Sequence, residues 1–385
     1  MADNPHLETL REIMADFAAV TGLTPSERQP SRYLWTDAFA VANFLELHRL
    51  TGAEEYLDLA RQLVDQVHYV LGRHRPDDSR SGRLSGLSEE EGAQHPTAGG
   101  LRIGKPLPER SPAEPPDEQL EWERDGQYYH YLVKWLHALR LIGRVTGEPR
   151  YLIWGRELAR TMHDRFLRPA YPGGPLIISW KMSVDLSRPL VESMGQHDAL
   201  DGLIAYLALQ RERAGEPDLT REIEELAALC RDRSWATDDP LGLGGLLIDI
   251  LQVGQLLARG AALPDRLLFD LTEQARPGLV AYVQRAELKN PAGYRLAFRE
   301  LGLSLGLRAT TRLAELIDRA PERFPAVDRL RELLAPIIEY CPLGEEIEGF
   351  WLDPSHWQGD SWRRHLQINQ VMLATSLAPE TFLNG

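Results

Sequence analysis

The chain has 385 residues, 43% of them hydrophobic, and a formal charge of -14, so it can bury a large core but offers no Lys/Arg footprint for neutralising the phosphates of a nucleic acid. Residues 1–8 hold no basic stretch leading into an apolar one, and no later run reaches ~18 apolar residues, so neither secretion nor membrane spanning is expected. The expectation is a soluble cytoplasmic protein without a membrane partner, in which Cys230 and Cys341, each alone in a helical apolar context, are buried free thiols.

His6 to Thr21 places Leu7, Leu10, Ile13, Met14, Phe17 and Val20 on one face and Glu8, Arg11, Glu12 and Asp16 on the other, the pattern of a surface helix. Thr24 to Pro30 is a turn-rich break. Asp37 to Arg49 is apolar nearly all round, as an enclosed helix must be; Thr51-Gly52 ends it, and Glu54 to Leu71 is again one-sided. A buried helix joined to an amphipathic partner by a tight turn makes an antiparallel hairpin. The couplet recurs in Tyr128 to Arg144 with Arg150 to Phe166, Asp198 to Arg211 with Leu219 to Arg231, and Leu246 to Arg259 with Asp265 to Arg285. Arg295 to Leu307 follows, with Thr311 to Ile317 and Asp328 to Tyr340. Leu366 to Leu377 is the sixth inner helix, and the N-terminal helix is its expected partner, which favours one domain over residues 1–385. Thr51-Gly52, Thr146-Gly147-Glu148-Pro149 and Gly215-Glu216-Pro217 punctuate equivalent joints, the mark of a loose repeat. Of strand signals, only Pro175 to Trp180 stands out.

Every inner helix opens in a polar or aromatic cluster: Trp35-Thr36-Asp37, Asp125 to His130, Gln196-His197-Asp198, Gly244-Gly245, Tyr294, and Trp362 to His365. Residues 73–124, with seven prolines and six glycines, are too long for an ordinary connection. The segment joins the first hairpin to the second. It must therefore emerge where inner helices begin, and it reads as a lid over that face.

The six couplets resemble the (α/α)6 toroid shared by six-hairpin glycosidases and N-acylglucosamine 2-epimerase-like enzymes, and Trp35-Thr36-Asp37 and Asp125-Gly126-Gln127-Tyr128 are similar to inner-helix openings in those families. The resemblance implies an all-α toroid with one long loop insertion. It also implies a bowl at one end, lined by loops and inner-helix starts, where carboxylates or histidines act on a sugar.

Catalytic candidates follow from residue types at these openings. Asp37 beside Trp35 and Asp125 beside Tyr128 and His130 are carboxylates at the starts of apolar helices, suited either to acid/base work with a raised pKa or, more plainly, to capping. His197-Asp198 joins a proton carrier to an anion, with a cap as the plainer reading. Asp201, on a different helix face, reads as structural. Trp35, Tyr128, Trp180, His356, Trp357, Asp360, Trp362 and His365 offer stacking and hydroxyl recognition, while Arg102 and Lys105 offer cations to an anionic substituent. No HExxH or cysteine-rich ligand spacing occurs, so neither a metal nor another cofactor is expected.

The reading this favours is a carbohydrate-active enzyme, foremost a glycoside hydrolase with two carboxylates drawn from Asp37, Asp125, Asp198 and Asp360, acting on a small carbohydrate with or without an anionic group. One alternative is a sugar epimerase or isomerase in which His197 and His365, or His130, move a proton at carbon. The other is a toroid that binds a ligand or protein without catalysis.

Overall fold

The computed structural model describes residues 4–25, 29–212, 215, 217–264 and 266–384. The Thr24 to Pro30 break, the Gly215-Glu216-Pro217 turn and the Asp265 helix start each include residues outside that set. The chain forms two compact units, residues 15–231 and residues 232–384 together with residues 4–14.

After α1 (Leu7–Val20), the first unit runs through α2 (Leu34–Thr51) and α3 (Glu54–Leu71), the short helices α4 (Glu89–Gln94) and α5 (Glu118–Glu121), then α6 (Tyr129–Thr146), α7 (Pro149–Phe166), α8 (Asp198–Gln210) and α9 (Thr220–Leu229). Fifteen of the eighteen residues of α2 are buried, against seven of eighteen in α3, which makes one the inner and the other the outer helix of a hairpin. The first two hairpins turn by the same chemistry. Thr51 and Thr146 each donate a hydroxyl to the carbonyl four residues back and accept the N–H two residues ahead, while Gly52 and Gly147 take the left-handed conformation at φ +70°. A Thr-Gly pair therefore ends the inner helix and launches the outer one.

Short strands interrupt this plan: β1 (Gln127–Tyr128), β2 (Leu167–Pro169), β3 (Leu176–Ile178), β4 (Lys181–Met182) and β5 (Pro189–Val191). β2 and β3 form an antiparallel pair over the stretch whose sequence reads as a strand, and β4 lies between β1 and β5.

The second unit holds α10 (Pro240–Ala258), α11 (Leu267–Gln284), α12 (Ala297–Arg319), α13 (Val327–Ile338), α14 (Pro342–Leu352), α15 (Asp360–Arg364), α16 (Leu366–Leu377) and α17 (Glu380–Leu383). Asn4 donates its side-chain amide to the Leu377 carbonyl at 3.3 Å, at the end of α16. Three boundaries differ from the sequence reading. α10 begins at Pro240 rather than Leu246, because Asp239 caps it by accepting the Gly242 N–H at 2.9 Å and Pro240 occupies the first turn. α12 is one continuous helix through the expected break between Leu307 and Thr311, and α14 is an additional outer helix started by Pro342. α10 is long and apolar enough to suit a bilayer by composition, yet twelve of its nineteen residues are buried inside the unit. Cys230 is buried and Cys341 half-buried, both as free thiols.

The insertion is a packed strut. Leu101 and Ile103 are fully buried, Ile103 accepts the Leu34 N–H at 3.0 Å and donates to the Gly126 carbonyl at 2.8 Å, and Thr97 donates to the Trp154 carbonyl. Residues 97–104 thus tie the start of α2 to the start of α6, which an opening lid would have to undo.

Candidate active site

The start of α6 is built from the strut and the small sheet. Gly126 sits at φ +151°, where a Cβ would lie 2.7 Å from the Met182 carbonyl oxygen, and Gly104 at φ +92°, where it would lie 2.1 Å from the Arg32 carbonyl oxygen. Only glycine lets the chain pass at either point. Asp125 between them is fully buried and accepts from the N–H groups of Gly104 (3.0 Å), Lys105 (3.4 Å) and Gly126 (3.1 Å) and from the Arg102 guanidinium, with Arg75 at 3.7 Å. Arg102 is itself buried and donates to the carbonyls of Arg73 (2.6 Å) and Val70 (2.8 Å). Two sequence expectations change here. Asp125 is a clamp with no oxygen left for substrate, and Arg102 is its partner rather than an arm for an anionic ligand.

Above this clamp lies an aromatic face. β1–β4 pairing sets Tyr128 opposite Lys181, and the Trp180 carbonyl accepts the Tyr129 N–H at 3.2 Å, which fixes Trp180 over the helix start. The Trp180 and His130 rings stack 5.5 Å apart at 9°, Tyr128 lies 4.8 Å from Trp180, and exposed Trp122 meets Trp180 edge-on at 4.9 Å. Tyr131 continues the face, its hydroxyl 2.6 Å from that of Tyr33. Burial pushes the Tyr33 phenol up to about 12, so both hydroxyls stay protonated. The Lys105 ammonium lies 5.5 Å from the centre of the Tyr33 ring, and burial lowers its pKa against the opposing charges of Glu123 and Asp125. Tyr33, Tyr131, His130, Trp180 and Lys105 are all half-buried, neither sealed in the core nor free in solvent. Tyr33, Tyr131, Glu123 and Trp122 did not stand out in the sequence. Tyr33 precedes an obvious cluster by two residues, and Glu123 and Trp122 lie in the insertion, where no periodicity marks them.

His130 is held well below the usual histidine range, at about 4, chiefly because burial penalises the imidazolium; Asp201 opposes this and Lys134 reinforces it. Its ring is neutral at pH 7, and Nδ1 is buried without a hydrogen-bond partner. Asp201, dismissed by face geometry in the sequence, is thus a charged neighbour of His130, and its carboxylate lies 4.0 Å from the Lys134 ammonium.

Asp37 is fully buried at the first turn of α2, with Oδ2 accepting the Tyr33 N–H at 3.0 Å and the Arg32 guanidinium 3.5 Å from Oδ1. Trp35 packs on Phe39 at 4.5 Å. These are core contacts, so Asp37 acts on the aromatic face only by holding the Tyr33 backbone. Burial raises its pKa from 3.8 to about 6, against Arg32 and the Tyr33 N–H. A carboxyl with a folded pKa above its unfolded one binds its proton more tightly when folded. Its stabilisation is therefore complete below about pH 4 and lost as pH rises through about 6, a change of about 3 kcal/mol. Asp37→Asn removes this titration. The unfolding free energy of the variant relative to the parent, from urea transitions, is expected to rise by about that amount between pH 4 and pH 7; an unchanged difference would mean that Asp37 titrates alike in both states.

At the α8 start, Asp198 is buried and accepts the Gly195 N–H at 2.8 Å, closing the turn before the helix, a backbone-holding contact. His197 is half-buried at the N-cap position. In the second unit, Trp357 and Trp362 stack at 5.1 Å and 7°, Trp362 also stacks on Trp351 at 5.6 Å, and the Trp357 indole N–H donates to the Trp351 carbonyl at 2.8 Å. His356 stacks on Phe350 at 3.8 Å, with Nδ1 2.7 Å from the Phe350 carbonyl. These three rings hold the segment after α14 in place instead of waiting for ligand. His365 is half-buried at the start of α16, 5.4 Å from Phe298, and Asp360 is exposed at the start of α15. Among the described residues, no three His, Cys, Asp or Glu side chains gather as a metal site.

No family model and no curated protein matches the chain. Among solved structures, it is similar to an alpha-1,6-mannanase of Salegentibacter sp. HEL1_6, seen in complex with alpha-1,6-mannotriose in an inactive variant carrying two adjacent Asp→Asn changes. The identity is 14%, the TM-score 0.54, and the match covers 97% of this chain and 99% of that one. A sugar epimerase from a ruminal bacterium matches at 10% identity and TM-score 0.47, covering 87% of this chain and 86% of its own. The cellobiose 2-epimerase of Bacillus thermoamylovorans B4167 matches at 12% and 0.44, over 88% of each chain. The likeness to the mannanase shows the fold, an all-α (α/α)6 toroid.

Proposed function

We propose that this chain is a carbohydrate-active enzyme that lays a neutral sugar against the Tyr33, Tyr131 and Trp180 face and hydrolyses a glycosidic bond. The observation that carries this reading is the face itself: half-buried rings beside two protonated hydroxyls and an ammonium, at the start of an inner helix of a fold that also serves a mannanase. The C–H face of a pyranose suits the rings, and its hydroxyls suit Tyr33, Tyr131 and Lys105. An anionic substituent is disfavoured, because Arg102 is tied to Asp125 and Glu123 already offsets Lys105. With Asp37, Asp125 and Asp198 held in the scaffold, Glu123 and Asp201 are the carboxylates we assign to acid and base work, Glu123 acting on Tyr33, Tyr128 and Lys105 and Asp201 on His130.

One observation favours a second reading. A neutral imidazole with an unpartnered nitrogen is a proton acceptor at pH 7, as epimerisation at carbon requires. Incubation with alpha-1,6-mannotriose and, separately, with free mannose separates the two. Hydrolysis yields mannose and mannobiose and leaves free mannose unchanged, whereas conversion of mannose to its 2-epimer without chain shortening would replace the hydrolase reading.

A further inference from the structure

A second candidate site lies wholly within the second unit, and nothing in the foregoing assigns it. A cavity of about 300 Å³ opens where α10 and α12 begin, lined by Asp238, Asp239, Arg285, Glu287, Arg295, Arg299 and Glu300 among others, with Tyr294 and Leu296 at its rim. Its floor is rigid. Buried Arg295 makes three hydrogen bonds of 2.6–3.1 Å to Glu300 and lies 3.7 Å from the centre of the Phe350 ring, while the Trp351 indole N–H donates to Glu300 at 2.8 Å. Arg285 pairs with Asp238 at 2.6 Å and Glu287 at 3.0 Å, and Arg299 pairs with Asp239.

Two features are unexplained by folding. Tyr294 is 84% exposed, the most exposed large apolar side chain among the described residues, although it lines an open polar cavity. Tyr282, only 1% exposed and not itself part of the lining, has a hydroxyl with no partner, and its electrostatic neighbours are four of the lining residues, Glu300, Glu287, Arg295 and Arg285.

We propose that this cavity is a second saccharide site, taking a neutral polyhydroxylated ring with Tyr294 as its stacking platform. The four lining carboxylates outnumber the three guanidiniums by one, which disfavours a phosphate, and every carboxylate is already engaged by a guanidinium, with Arg285 shared by Asp238 and Glu287. The paired groups still present fixed N–H donors and oxygen lone pairs in planar forks, which suit vicinal hydroxyls. An exposed aromatic ring over such a floor suits the apolar face of a sugar. The proposal shares the carbohydrate class with the reading above but not its residues, so each can fail alone.

The test is calorimetric titration of the full chain with alpha-1,6-mannotriose, maltotriose and cellotriose. In a Trp180→Ala background, which cripples the first face, residual binding of at least one of these sugars should remain. Adding Tyr294→Ala should weaken it by about tenfold, and adding Arg299→Gln should weaken it as well. Tyr171→Ala, at another exposed tyrosine, is the control and should change nothing. Residual binding that depends on Tyr294, together with no cleavage of any of these sugars by the parent chain, would uphold the site and sink the hydrolase reading. No residual binding, or binding indifferent to Tyr294, would overturn the site.

Discussion

Arg102→Ala is expected to lower the thermal midpoint of the first unit by roughly 10 °C, corresponding to a loss of about 3–5 kcal/mol. The guanidinium is buried, donates to two carbonyls and to Asp125, and is the closest counter-charge of a carboxylate with no solvent exposure. Truncation therefore strands a buried anion whose nearest remaining guanidinium, Arg75, is 3.7 Å away, and leaves two carbonyls short of a donor. Arg331→Ala is the comparison: its side chain is 44% exposed, and surface pairs of the kind it makes with Asp318 and Asp328 are worth at most about 1 kcal/mol. Differential scanning calorimetry of both variants decides the matter. Equal, small shifts would return Arg102 to the role of a loop charge and the strut to the status of a lid.

Two adjacent glycines of α10 should respond in opposite directions. Alanine normally stabilises a helix interior by up to about 1 kcal/mol over glycine. That gain is expected at Gly245, where an added Cβ meets nothing within 4 Å. At Gly244 the same atom would lie 2.1 Å from the Gly302 carbonyl oxygen and 2.4 Å from its carbon, and a Cβ added at Gly306 would lie 2.6 Å from the Gly244 carbonyl oxygen. Backbone rather than a flexible side chain blocks the way, so α10 and α12 must separate. Gly244→Ala is expected to cost about 3 kcal/mol. Urea midpoints that move alike in the two variants would mean that α10 and α12 do not pack backbone to backbone.

The pairing of Gly244 with Gly302 and Gly306 also shows where sequence reading reached its limit. The helices themselves were legible wherever an apolar stripe ran between clear turn signals: Leu366–Leu377 is found as read, and the Thr51-Gly52 and Thr146-Gly147 joints behave alike. In the sequence Gly244-Gly245 reads as a cluster opening a helix; in the fold, Gly244 lies against the backbone of another helix, a property of the partner that local sequence does not encode. The candidate site shows the same divide. Clusters at inner-helix starts were visible, and Tyr128, His130 and Trp180 do gather. Whether a carboxylate faces ligand or core was not visible, since a cap and a catalytic acid both favour the first turn of a helix. Asp37, Asp125 and Asp198 turned inward to backbone N–H groups, while Asp201, set aside on helical periodicity, is brought to His130 by the packing of α8 beside α6.

The most direct test of the sugar-binding face is the affinity of the parent and of Trp180→Ala for neutral oligosaccharides, with alpha-1,6-mannotriose first, followed by intrinsic tryptophan fluorescence. The stacked Trp180 and His130 rings predict saturable quenching in the parent and an affinity lower by about tenfold or more in the variant, about 1.4 kcal/mol for the loss of one stacking surface. A parent that binds no neutral saccharide, or a Trp180→Ala variant that binds as tightly as the parent, would contradict it.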